Sequence, residues 1–462
     1  QEYLTYLISK GWIDITKLSL ESQYSDSEEI YARLIDYIDK NLIKDSYFNK
    51  RLYKYMLLDD QITGAQVCML LFEQNIIDGT DEEKQAVQSG SKSAYSFMLE
   101  KIENLDITPA QLALDPYSGS CVVTDTQTGE VLALVTYPGY DNNRLTNSID
   151  SDYYNKIYYD LSQPMWNYAT QQLSAPGSTF KMVSAATALE NNVVGLNETI
   201  TCKGTWDTLS PPARCWIAPN GSHGPLDISG AIEHSCNYFF YEVGYRLSRN
   251  NGVYDSDTGL EKLAYYADQF GLSDKSGVEI SESAPKVSDF DAIRSAIGQG
   301  TNNYSTVGLA RYVTTVANSG NCYNLSLLSK ATDADGNLIA DYTPTLRNTV
   351  DLKQSTWDAI HQGMRKVVED KDYYKDLTIQ VAGKTGTAQE NRKRANHALF
   401  VCYAPYEQPQ IAIATRIAFG YASDYAAQVT KDIVKYYFKL EDESSLITGT
   451  AESTNVVQSA GD

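Results

Sequence analysis

Hydrophobic positions along the first hundred residues recur at helical spacing. In DSEEIYARLIDYIDKNLI, Ile30, Leu34, Tyr37 and Ile38 fall close to one face of a helix. Ser27 stands where a helix would be capped, but Ile30 replaces the Glu of a full capping box, so the cap is weak. DQITGAQVCMLLFEQNII and SKSAYSFMLEKIENL continue the pattern. Residues 1–105 are therefore expected to form a mostly helical, structural or docking region. Near residue 106 the period changes from helical to alternating. GSCVVTDTQTGEVLALVTYP reads as two strands around the turn TQTGE, and Tyr- and Asn-rich loops follow to about residue 170. Helical patterns then come in STFKMVSAATALEN, in DISGAIEHSCNYFFYEVGYRLS as one stretch, and in GLEKLAYYADQFGL. YSTVGLARYVTTVANSG is a further helix, ending at Gly320, and VDLKQSTWDAIHQGMRKVVED another. TIQVAGKTGTAQ and HALFVCYAPYEQPQIAIATRIA read as strands with YEQP as a turn, followed by a helix in YAAQVTKDIVKYYFKL. The tail 441–462 is Ser-, Thr- and Glu-rich and is expected to be disordered. The fold class is thus α+β: residues 106–440 build an antiparallel sheet from the two ends of the domain, with helices between.

Composition narrows this picture. The chain has 462 residues and a formal net charge of −21, which argues against nucleic acid as a partner. No run of about 18 apolar residues is present, so no segment reads as a membrane span. The chain starts at Gln1 without a signal peptide, and reads as a piece of something longer. There are seven cysteines, at 68, 121, 202, 215, 236, 322 and 402; the odd count and irregular spacing do not read as a disulfide framework. No internal repeat is found.

Three short motifs carry chemistry. PGSTFK places Ser178 and Lys181 three apart, on one face of a helix, where an amine could take the hydroxyl's proton. SCN supplies a second hydroxyl, Ser235, and an amide, Asn237. KTGT offers Lys384 as a fixed cation, Thr385 and Thr387 as hydroxyls, and Gly386 as a strand position without a side chain. Each motif alone is weak. Their order, S-x-x-K, S-x-N, K-T-G, resembles the β-lactamase and penicillin-binding superfamily. SAPGSTFKMVSA, AIGQG (296–300) and AGKTGTAQ look more closely like class B penicillin-binding proteins, the monofunctional peptidoglycan D,D-transpeptidases. GSHGPLDISGAIEHSCNYFFYEVG resembles the elongation-type (PBP2-like) or sporulation-type branches.

The resemblance implies Ser178 as acylated nucleophile, Lys181 as its base and Ser235 as proton relay to the leaving amine. It implies Asn237 holding the acyl-chain amide, Lys384 supplying positive potential, and Thr385 and Thr387 binding the terminal carboxylate along the open strand at Gly386. The backbone N–H groups of Ser178 and Thr387 would form the oxyanion hole. The implied partners are stem peptides ending in D-Ala-D-Ala, β-lactams and a membrane-bound glycosyltransferase. A membrane anchor ahead of residue 1 would hold this domain outside the cytoplasmic membrane. A β-lactamase, a D,D-carboxypeptidase and a non-catalytic β-lactam sensor are the rival readings. The 149-residue spacing from Ser235 to Lys384 is long for a compact lactamase.

Other motifs lead elsewhere. IGQGTN lacks the third glycine and the strand–helix frame of a nucleotide loop. DADGN (333–337) has no Glu to close a calcium loop and reads as a hairpin turn, and ENRKR (390–394) reads as a solvated basic loop. Cys202, Cys215, His223 and Cys236 follow C-x12-C-x7-H-x12-C, a Cys3His set without the usual close C-x-x-C pair. Zinc, a Cys202–Cys215 disulfide and unpaired buried thiols all remain open on spacing alone. The resemblance to elongation-type and clostridial relatives, whose zinc ligands include the middle residue of S-x-N and a His in a G-H-G-like turn, favours a structural zinc on these four residues. His234 falls outside that set.

Overall fold

The computed structural model describes residues 27–449, apart from 113, 209, 219 and 391–393, together with a few positions before residue 15. Residues 1–107 form one compact unit and residues 108–448 a second.

The first unit is built from short helices with local stop and start signals. They are α1 (Ser27–Asn41), α2 (Ser46–Leu58), α3 (Gly64–Glu73), α4 (Asp81–Ser89) and α5 (Ala94–Glu103). Thr63 with Gln66, and Thr80 with Glu83, form full capping boxes. Gly90 ends α4 in the left-handed conformation, φ 77°. Ser27 is the first residue of α1. Phe72 and Phe97 meet at 5.4 Å, and Lys101 pairs with Glu83 and Asp106 at 3.3 Å each.

The second unit is a three-layer α+β domain. Its sheet is entirely antiparallel. Strands β1 (Gly119–Asp125) and β2 (Val131–Tyr137) form the expected hairpin. The next helix, α6 (Ser151–Tyr159), lies in the stretch expected to be loop; only Ile157 of it is buried, so it carries little apolar periodicity to read. Helix α7 (Lys181–Glu190) continues a 3-10 turn at Gly177–Phe180. Two short strands, β3 (Ile200–Cys202) and β4 (Gly224–Leu226), pair with each other. Helices α8 (Ile228–Glu233), α9 (Asn237–Leu247), α10 (Ser256–Gln269), α11 (Ala292–Ser295), α12 (Thr306–Ala317) and α13 (Gln354–Glu369) follow. Then come β5 (Ala382–Ala388), β6 (His397–Ala404), β7 (Ile411–Ile417) and α14 (Ser423–Tyr437). The sheet order is β5-β6-β7-β1-β2, so the chain's two ends do meet in one sheet and β5 is an edge. Every residue of β6 is buried because both faces are covered. Leu399, Val401 and Tyr403 belong to the core that contains α7, α9 and the fully buried α12. Phe400, Cys402 and Ala404 face the layer closed by Ala426, Ala427 and Val434 of α14.

Three expectations change. The stretch 227–248 is two helices, not one, broken at residues 234–236 where Ser235 takes φ 49°. Helix α12 is closed by Ser319 in the left-handed region (φ 59°) ahead of Gly320. Gly320 is needed for a different reason: a Cβ there would meet the Val350 carbonyl at 2.7 Å. In the tail, Glu443–Leu446 is a short helix, and residues 450–462 lie outside the described residues, as do 391–393 of the basic loop. DADGN forms the turn expected of it, with Asp333 N–H donating to the Asn337 carbonyl at 2.9 Å.

Candidate active site

The three motifs converge on the seat of Ser178. Ser178 lies in the 3-10 turn and is buried; the backbone N–H of Lys181 donates to its carbonyl, so the two residues are one tight turn apart. The seat is fixed by glycines whose missing side chains allow main-chain contact. A Cβ on Gly177 (φ 52°) would stand 2.4 Å from the Thr387 carbonyl, and one on Gly386 would stand 2.9 Å from the Pro176 carbonyl. Strand β5 and the Ser178 turn therefore touch backbone to backbone. Behind them, Gly177 N–H donates to the Gly298 carbonyl at 3.1 Å, and a Cβ on Gly298 (φ 78°) would sit 1.9 Å from the Gly177 carbonyl. Tyr312 Oη donates to the Thr179 carbonyl at 3.0 Å, and Ser184 Oγ to the Ala296 carbonyl at 2.7 Å. The AIGQG segment is thus the back wall of the turn, a role its spacing alone did not reveal.

Lys181 is fully buried, and a buried ammonium must be given acceptors. Its Nζ donates to the Ser235 carbonyl (2.7 Å), Ser235 Oγ (3.1 Å) and Asn237 Oδ1 (2.7 Å). It also lies 5.6 Å from the centre of the Phe240 ring, a favourable cation–π contact. The helix break at 234–236 makes this possible. The left-handed turn at Ser235 aims its carbonyl and hydroxyl at the same point as the side chain two residues on. Lys384 is likewise buried; its Nζ donates to the Thr385 carbonyl (3.1 Å) and hydroxyl (3.3 Å). Thr387 lines a cleft of about 530 Å³ with Tyr241, Arg294, Gln389 and Asn396.

Cys236, between Ser235 and Asn237, turns the other way. Its sulfur caps α9, accepting from Phe239 N–H at 3.4 Å, and lies 4.0 Å from Cys215 Sγ. Cys215 Sγ is 3.6 Å from His223 Nδ1. The ligand atoms of Cys202, Cys215, His223 and Cys236 all lie within 4.8 Å of one another, and all seven cysteines are free thiols. A tetrahedral zinc with metal–sulfur bonds of about 2.3 Å needs sulfurs about 3.8 Å apart, so this donor set fits such an ion. Hydrogen bonding from Cys236 draws the Cys215 thiol down to about 3 and Cys202 to about 6, while the same contacts and burial push Cys236 up. Burial works to lower His223, but its contacts with Cys215 and Cys202 outweigh that and raise it. The Nε2 of His223 is buried without a partner among the described residues. His234 stacks on His223 at 5.7 Å but stands apart from the cysteine cluster, grouped instead with the carboxylates of Glu233 and Asp370.

A network that the motifs did not indicate closes the far end of β5. His397 is buried on β6, opposite Ala388; its Nε2 meets Glu390 Oε2 at 2.6 Å, and its Nδ1 accepts from Phe419 N–H at 3.0 Å. Burial, with the charge of Arg416 beside it, pushes His397 down to about 4. Arg416 Nε donates to Ser174 Oγ at 3.0 Å, three residues before Gly177, and burial lowers the guanidinium to about 10.

A helix-flanked antiparallel sheet carrying these motifs defines a class, and comparison with known families agrees. The penicillin binding protein transpeptidase domain matches residues 119–435, so the chain belongs to that family. Within it, the chain is 30% identical over 362 residues to the peptidoglycan D,D-transpeptidase MrdA of Haemophilus influenzae, covering 70% of this chain and 53% of that protein. It thus spans about half the length of the curated relatives it matches. Among solved structures it is similar to PBP2 of Pseudomonas aeruginosa in complex with WCK 5153 (26% identity, TM-score 0.60, 72% of this chain and 76% of that one). It is also similar to a chain of a peptidoglycan synthase complex that coordinates polymerization and crosslinking (25% identity, TM-score 0.62, 71% and 56%).

Proposed function

We propose that the protein is a serine-type D,D-transpeptidase that cross-links peptidoglycan stem peptides and is acylated by β-lactams. The observation that carries this reading is the buried ammonium of Lys181, bonded to both Ser235 and Asn237 one turn from Ser178. In this reading Lys181, once neutral, takes the Ser178 proton as Oγ attacks the D-Ala-D-Ala carbonyl. The backbone N–H groups of Ser178 and Thr387 receive the developing oxyanion, and such a donor is typically worth about 10²–10³ in rate. Ser235 passes the proton to the departing D-alanine amine. Asn237 Oδ1 is held by Lys181, which turns its amide N–H₂ to the acyl chain. Thr385 and Thr387 hold the terminal carboxylate in the potential of Lys384. An amine of a second stem then attacks the acyl-enzyme, forms the cross-link and frees Ser178.

Cys202, Cys215, His223 and Cys236 would hold a structural zinc, supported by the separations of their donor atoms. With four protein ligands the ion would leave no position for water, and would pin the S-x-N connector to the 200–223 segment. The similarity to a chain of a peptidoglycan synthase complex supports a glycosyltransferase partner. The enzyme would act, membrane-anchored, outside the cytoplasmic membrane, where peptidoglycan lies. No helix among the described residues is itself long and apolar enough to cross a membrane.

Intact mass after incubation with a penicillin tests the function. A stable adduct of one β-lactam, absent in Ser178→Ala, is expected; rapid turnover without an adduct would instead mark a β-lactamase. Elemental analysis of chelator-free protein is expected to find one zinc per chain. Cys236→Ser should lose it and melt lower, and a metal-free wild type would sink the zinc assignment.

A further inference from the structure

The cleft beside Thr387 has a charge that the acyl-transfer steps leave unused. Among the described residues its lining includes one cation, Arg294, and one anion, Asp291, against neutral Gln389, Asn396, Tyr241 and the exposed ring of Phe290. Asp291 caps the short helix α11: its Oδ1 accepts from Arg294 N–H at 3.1 Å and its Oδ2 from Arg294 Nη1. Asp291 reaches this position with φ 58°, a conformation unusual for a residue with a side chain. The pair therefore fixes the guanidinium by one nitrogen. Nε and Nη2 have no partner among the described residues, so one edge of the fork is left open. A guanidinium held in this way matches a carboxylate better than any other common group.

The position along β5 says which carboxylate. This step rests on the transpeptidase reading above. A peptide pairing antiparallel with edge strand β5, with its C-terminal carboxylate at Thr385, runs its earlier residues toward Ala388 and Gln389. At about 3.4 Å per residue, the residue preceding D-Ala-D-Ala lies about 7 Å upstream, beside Thr387 and the cleft that it lines. We propose that Arg294, buttressed by Asp291, is a specificity-determining residue that pairs with a side-chain carboxylate on the third residue of the donor stem peptide. A donor whose third side chain ends in an amino acid head group would be preferred over one with an amide or a bare amine there.

The test uses two pentapeptide donors that differ only at that group, free carboxylate against carboxamide, with D-alanine release as readout. The wild type should prefer the carboxylate donor. Arg294→Gln should lose about tenfold or more of the preference in kcat/KM for the carboxylate donor over the carboxamide donor. Equal losses on both donors, or no loss on either, would overturn the assignment while a penicillin adduct on Ser178 left the transpeptidase reading standing. A wild type that forms no adduct would overturn that reading and this inference with it.

Discussion

The two units hold themselves together by different means. In residues 1–107 the helix starts are set by local contacts: Thr63 to Gln66, Thr80 to Glu83 and Ser93 to Ser96 are each three residues apart. In the transpeptidase unit the site's contacts are remote. Lys181 finds its acceptors 54 and 56 residues away, Arg416 reaches Ser174 across 242, and Gly177 abuts Thr387. The first unit spells out its helices in sequence. The second places buried charge where only the finished fold can satisfy it.

The same substitution at two left-handed glycines sharpens this contrast most. Gly298→Ala drives a Cβ against the Gly177 carbonyl in a backbone that resists a side chain. It should cost about 3–4 kcal/mol and slow penicillin acylation as well. Gly90→Ala meets nothing within 4 Å and should cost only about 1 kcal/mol, with acylation unchanged. Equal melting shifts in the two variants would break the comparison.

The next effect is one of pH. His397 sits at about 4 in the folded protein against an ordinary 6.5. The unfolded chain therefore binds a proton there first. The stability from keeping this imidazole neutral is present above pH 6.5, falls as pH drops from 6.5 to 4, and is gone below 4. The loss corresponds to roughly 3 kcal/mol. Urea unfolding at pH 7 and pH 5 should show the decline, and His397→Gln should flatten it; a parallel decline in the variant would assign the acid sensitivity elsewhere.

Smallest is Thr80→Ala, which removes one side of a capping box. About 1 kcal/mol is expected, confined to the first unit, with no change in acylation. A fall in penicillin binding would tie the acylation site to the folding of the first unit.

The contrast also explains what could be read in advance. The hairpin at 119–137, the sheet made from both chain ends and the helices around the motifs are set by short-range pattern. The three motifs that converge in the fold were legible too, because acyl transfer, the chemistry proposed for them, demands a hydroxyl, a base and a carboxylate anchor in a small set of spacings. The break at Ser235 was hidden, since 227–248 is uniformly helical in pattern and the reversal is enforced by Lys181 and the thiol cluster, both distant in sequence. The His397–Glu390–Arg416 network was hidden for the same reason. A lone histidine on an apolar strand gives no sign of the arginine that will lie beside it. Helix α6 was missed because its aromatic residues mostly face outward.

The glycine-on-carbonyl contacts around Ser178 also limit how the protein can change. At Gly177, Gly298 and Gly386 even a methyl group would collide with main chain. If Ser178 is acylated as proposed, variation that alters β-lactam acylation therefore has little room at the serine's own seat. It is steered outward, to side chains such as Phe290 and Arg294, which line the approach and whose replacement leaves the backbone where it is.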